Sequence, residues 1–300
     1  MRKFSFYRYW SRIRMHRSRS LIVAAFPKAA SKYVVSLLLS CSNQSKVIYP
    51  KLTHGYGHNF LSPRKFPIFS KRNALNLIVY GHFPMSQYNL SVISELTPQS
   101  KCIVLIRPLA DIVISLADHI NKLSVSPLDY NIPGLMDGFN RTTSSMLLYD
   151  RIILFTLPWY IRFICSWVYG KHNVPVEIST FEENTQYPAL GIRNILNFGD
   201  FPINDCVLEE LEMSAGVPIA NQNFNIGLSG RGYELLSKQQ LTRIEELVDL
   251  AGLTNTVLGS YLKTGFSRLN FTVIDAINHK IVNPTIPSLL LTGSVSSTVK

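Results

Sequence analysis

No acidic residue precedes Glu95 in the 300-residue chain, whereas half of its 30 lysines and arginines do. Charge within that stretch is therefore not neutralised internally, and with a net charge of +11 it attracts anions. A nucleotide with several phosphates, a nucleic acid and an anionic membrane surface are the partners such a field favours. Cysteine is also scarce. The four present (Cys41, Cys102, Cys165, Cys206) show neither metal-ligand spacing nor a dense disulfide framework. Three lie in apolar runs, where buried free thiols are the usual outcome, and a reducing compartment follows. Charged residues are only 16% of the chain against 46% hydrophobic ones, which excludes chain-wide disorder. That content suits one large α/β domain or two smaller ones.

The opening twenty residues lack the long apolar core of a secretory signal. Residues 2–19 are basic and aromatic instead, and read as an arm for a polyanion or a peripheral membrane surface, or as an organelle transit peptide. The most apolar stretch, IILFTLPWYIRFICSWVYG from Ile152, is interrupted by Pro158 and Arg162 and flanked by Asp150 and Arg151. A buried helix is expected there rather than a membrane span. Sequons at Asn43, Asn89, Asn140 and Asn270 are too short a pattern to imply secretion, and a cytoplasmic location is expected. No internal repeat is present.

Short apolar runs alternate with helical patterns. SLIVAAF (20–26), NLIVYGHF (76–83), KCIVLIR (101–107) and VEISTF (176–181) read as buried parallel strands. Val34, Leu37 and Leu38 recur at helical spacing after the first, and LADIVISLADHINKL follows the third as an amphipathic helix. Residues 42–74 read as a long loop, and a helix is expected to begin near Pro158. LGIRNILNF, INDCVLEELEM and SKQQLTRIEELVDLAG read as helices, the last capped by Ser237. The fold class is α/β, a central parallel sheet flanked by helices. Three segments are expected: an arm at 1–19, an α/β domain at 20–265 and a loosely held Ser/Thr-rich tail at 266–300.

Ligands in such sheets bind at the carboxyl ends of the strands. Three strands end in a polar residue beside proline, which brings Lys28, His82 and Arg107 to one rim. Lys28 lies between a strand and a helix, where backbone N–H groups and a helix N-terminus face an anion. The loop FPKAASKYV has no glycine and is not the GxxxxGK phosphate loop. Arg107 offers a planar fork suited to phosphate, with Ser115 within two helical turns of it. Its bland alternative is a strand cap paired with Asp111. His82 can accept a proton near neutral pH. His54 and His58, flanked by glycines, do not suit helical metal ligation and are assigned to an acceptor-side loop.

FPKAASKYV resembles the 5′-phosphosulfate loop of sulfotransferases that use 3′-phosphoadenosine-5′-phosphosulfate (PAPS), typically F-P-K-S-G-T-T-W. VLIRPLADIVISLADH is similar to their 3′-phosphate segment, V-x-R-(N)-P-x-D-x-x-x-S, and VYGHFP to K-x-H-L-P. The resemblance implies a P-loop-like fold, PAPS as co-substrate and no metal. It gives Lys28 and His82 catalytic roles. It assigns the donor to Lys28, Ala29, Ala30, Ser31, Lys32 and Tyr33, with Arg107 and Ser115 on the 3′-phosphate. Trp159 and Trp167 fit the family's tryptophans, and Phe181-Glu182-Glu183 its Y-E-D. Thr180 or Phe181 would lie against adenine. Gly230 and Arg231 fall in its final nucleotide segment, R-K-G-x-x-G-D-W, where Asn225 and Ile226 replace Arg-Lys and Arg231 would supply the charge. The acceptor, a small molecule or glycan, leaves no readable code, and no specific nucleic acid is expected. Two rivals stand beside this reading. One is a nucleotide-dependent kinase, weakened by the missing phosphate loop and Mg²⁺-binding aspartate. The other is a non-catalytic binder of nucleic acid or acidic polymer.

Overall fold

Ser20–Ala25 (β1) is buried along its whole length, because a strand at the centre of a parallel sheet has both faces covered. It pairs in parallel with Asn76–Gly81 (β3) on one side and Lys101–Ile106 (β4) on the other. Ser45–Ile48 (β2) lies outside β3, and Val176–Thr180 (β5) lies outside β4. The order is β2-β3-β1-β4-β5, all parallel. The computed structural model describes residues 20–43, 45–49, 60–63, 76–97, 99–122, 144–213 and 228–265. The expected arm and tail, His54, His58, Asn225 and Ile226 lie outside the described residues.

Helices cover the sheet: Ser31–Cys41 (α1), Gln87–Leu96 (α2), Leu109–Lys122 (α3), Ser145–Arg151 (α4) and Leu157–Val168 (α5). Phe181–Gln186 (α6), Pro188–Phe198 (α7), Asp205–Met213 (α8), Arg231–Leu235 (α9), Lys238–Leu250 (α10) and Val257–Thr264 (α11) follow. Ser237 caps α10 as expected, in a reciprocal capping box with Gln240. The four cysteines are free, with Cys41 and Cys102 buried. Asn89 of the second sequon is fully buried, accepting from Leu61 N at 2.8 Å and donating to Pro84 O at 2.7 Å, so it is a structural side chain.

Two expectations are corrected. Residues 42–74 are not all loop: β2 pairs with the edge of β3, but it is four residues long and only partly buried, too short to show a period. The helix expected near Pro158 begins at Ser145. A π-helical turn at Ile152–Thr156, closed by Leu157 N on Ile152 O, joins α4 to α5 and brings Pro158 into the first turn of α5. The stretch Ser145–Val168 is, by length and composition, apolar enough to cross a membrane. Its buried side belongs to the core: Trp167 is fully buried and donates to Phe83 O at 2.9 Å.

From β1 the chain turns toward β2, and from β4 toward β5. The connections that leave β1 and β4 therefore diverge, and open the crevice at the carboxyl ends where open α/β sheets hold ligands.

Candidate active site

After β1 the ladder continues for one residue, with Phe26 N on Leu105 O at 2.9 Å, and then the chain turns sharply. Lys28 and Ala30 take left-handed backbone angles, φ 71° and 56°. Each such residue with a Cβ carries about 1–2 kcal/mol of strain. Ala30 is the N-cap of α1 and no side chain caps the helix. Its first-turn N–H groups have no intrahelical acceptor and face the loop, the arrangement that binds anions. Ala30 stands where the motif this loop resembles has glycine, and it holds its positive φ against its own Cβ.

Lys28 sits in this turn, mostly buried. Burial first, then the charges of Arg107, Lys32 and Lys122, draw its ammonium down to about 8. His119, on α3, is pushed down to about 4 by burial and by Lys28, Lys32 and Lys122. The end of α3 and the start of α1 thus concentrate positive charge at one place.

His82 follows β3 and crosses to the neighbouring strand end. Its Nδ1 donates to Ala25 O at 2.8 Å, which leaves Nε2 as the acceptor nitrogen of the neutral ring. Tyr80, two residues earlier in β3, places its hydroxyl 3.5 Å from Nε2 and 2.7 Å from Ser31 Oγ. Tyr80 went unread in the sequence. The signal was there: residues i and i+2 of a strand share a face.

Arg107 is buried beneath the loop. It donates to Lys28 O at 3.2 Å and Leu228 O at 2.8 Å, and its guanidinium lies 3.9 Å from the Phe181 ring centre. Nε stands 4.0 Å from Asp111 Oδ2. Nε makes no hydrogen bond, so these contacts leave a buried donor on the guanidinium. Asp111 then accepts from Gly230 N and Gly232 N, both at 2.8 Å, and from Ser229 Oγ at 3.2 Å. Ser229 Oγ also lies against Glu182, so its single proton serves one of the two carboxylates at a time, and Glu182 accepts from Tyr261 at 2.6 Å. Burial raises Glu182 above the usual carboxylate range, opposed by those two hydrogen bonds.

The rim therefore unites Lys28, Ser31, His82 and Arg107, with Ala29 buried in the loop. Lys32 is exposed beside it, and Tyr33 is buried in the first turn of α1. Ser115 is buried in α3. Thr180 caps α6 by accepting from Glu183 N, and Phe181 lies under Arg107. Gly230 precedes α9 with φ 91°, while Arg231 turns to Asp118 at 2.9 Å. Asp111, His119 and Lys122 were not singled out as site residues; the packing of α3 against α9 and the approach of its last turn to Lys28 and Lys32 bring them there. Among the described residues, no group of three or more His, Cys, Asp or Glu side chains could hold a metal ion.

Mouse sulfotransferase SULT7A1, solved with PAP, superposes with a TM-score of 0.57 at 14% identity, covering 81% of this chain and 88% of that one. The fold is sulfotransferase-like. Retinol dehydratase in complex with androsterone and PAP gives a TM-score of 0.51 at 13% identity, over 80% of this chain and 82% of that one. With retinol and PAP, retinol dehydratase gives 0.50 over the same shares. No protein-family model matches the chain, and no curated protein matches its sequence.

Proposed function

We propose that the chain is a sulfotransferase, moving a sulfuryl group from PAPS to a hydroxyl or amine of a small molecule or glycan. The observation that carries this reading is the convergence after β1, β3 and β4: an uncapped helix N-terminus, a buried lysine among cations and a histidine with an acceptor Nε2. The sulfotransferase-like fold and the PAP held by its structural relatives support it.

The residues fit a phosphosulfate. First-turn N–H groups of α1 and the ammonium of Lys28 offer donors and charge, and an anion there offsets the burial and the neighbouring cations that lower Lys28. PAPS would supply an activated sulfuryl group with a phosphate oxygen as leaving atom. His82 Nε2 takes the proton of the attacking hydroxyl or amine. Lys28 offsets the negative charge gained by the departing oxygen, a contribution of about 2–4 kcal/mol. Lys32 adds charge from the rim. Arg107 and Ser115 are the candidates for the 3′-phosphate, and Arg107 also braces the loop through Lys28 O.

Calorimetric titration of the full chain with PAP, with AMP as control, tests the donor site. PAP is expected to bind more tightly than AMP and to lose affinity in Lys28→Met. Turnover of PAPS, once an acceptor is found, is expected to fall at least a hundredfold in His82→Ala. Folded protein that binds PAP no better than AMP overturns the reading and favours the polyanion binder.

A further inference from the structure

We propose that Tyr80 is a positioning residue that withholds His82 from proton abstraction until an anion occupies the loop before α1. The inference rests on the donor site proposed above and names how that site is regulated.

Three side chains form a line from the loop to the base: Ser31 Oγ, Tyr80 OH at 2.7 Å, and His82 Nε2 at 3.5 Å from that hydroxyl. Tyr80 is buried, and Ser31 opens α1 in the same turn as Lys28 and Ala30. Because Nδ1 of His82 donates to Ala25 O, neutral His82 can only accept at Nε2.

A hydroxyl has one proton to donate, so the line has two settings. In one, Ser31 donates to Tyr80 and Tyr80 donates to Nε2, occupying the lone pair that an acceptor's proton needs. In the other, Tyr80 donates to Ser31, and Ser31 directs its proton into the loop. An anion accepts hydrogen bonds and donates none. Its arrival beside Ser31 therefore selects the second setting and withdraws Tyr80's proton from Nε2. Nothing covalent changes; two hydroxyl rotations exchange one set of hydrogen bonds for another. The consequence is order: His82 becomes a competent base after the donor has bound, because Ser31 reports the anion.

The test uses the full chain with ¹⁵N-labelled histidine, following the imidazole nitrogens of His82 against pH with and without PAP. A donor hydrogen bond to Nε2 favours the neutral ring, so its removal raises the titration midpoint. In the free protein, Tyr80→Phe is expected to titrate about half a pH unit above wild type, whereas Ser31→Ala stays level or moves down. PAP should raise the midpoint in wild type by more than in Tyr80→Phe, where only its charge acts. Equal PAP responses in those two proteins overturn the relay. So does an upward move of Ser31→Ala matching Tyr80→Phe, since general loosening of the rim moves both alike. Failure of wild type to bind PAP by calorimetry overturns the donor site itself, a separate result from either of these.

Discussion

A lysine buried among other cations is held in a state that its own fold disfavours. Lys28 titrates at about 8 rather than its ordinary 10.5, chiefly through burial. Between those values the unfolded chain holds the proton and the folded chain does not, so stability rises with pH across that window. Below pH 8 the buried ammonium destabilises the free protein. Lys28→Met should therefore raise stability at neutral pH by about 1–3 kcal/mol, discounted for the solvent that still reaches the group. Denaturant unfolding at pH 7 measures it, and a less stable variant contradicts the account. An anion at the loop restores the ammonium, so PAP binding above pH 8 should take up a proton. Its dissociation constant should then rise by about tenfold per pH unit above 8. Calorimetry in buffers of different ionisation heat reads that uptake directly.

At the scale of elements, α3 is the part that organises the rim. Its first turn places Asp111 under three donors of the segment 229–232, and its last turn places His119 and Lys122 beside the α1 loop. Asp111 thus acts as a clasp between the sheet edge and α9, where Gly232 packs so tightly on Ala110 that a Cβ would lie 2.2 Å from its carbonyl carbon. Asp111→Ala should destabilise the protein by about 3 kcal/mol, since it leaves Arg107 without its nearest carboxylate and strips a charged acceptor from three donors. Faster amide exchange in 229–235 relative to α10 is the local signature. Unchanged exchange there would show that the segment is held by other contacts. α3 was visible from its amphipathic spacing and α5 from its apolar run, but the start of the α4–α5 stretch was not. Proline ordinarily marks a helix start, and the π-helical turn that carries the chain into Pro158 has no composition of its own.

For the whole molecule, charge is distributed as unevenly as the sequence implies, with a net +11 and the acid-free stretch ahead of Glu95. Residues 2–19 concentrate part of that charge, and a polyanion contact there is separable from the donor site. A chain lacking residues 2–19 should elute from a heparin column at lower salt while binding PAP with the same affinity. A parallel loss of both would place the arm at the active site.

The sequence by itself determined the parallel α/β architecture and the rim. Runs such as SLIVAA and KCIVLI leave no polar face to expose, and the Pro27-Lys28 and Arg107-Pro108 steps beyond them mark the carboxyl edge. That Lys28, His82 and Arg107 meet follows from strand direction alone. Tertiary structure decided what each side chain does there. Arg107 donates to two carbonyls over the Phe181 ring, and Thr180 caps a helix. Arg231 is drawn to Asp118, and Tyr80 stands between Ser31 and His82. Those outcomes depend on partners distant in the chain, and the direction of a hydrogen bond is set by the neighbour that packing supplies, which no local pattern encodes.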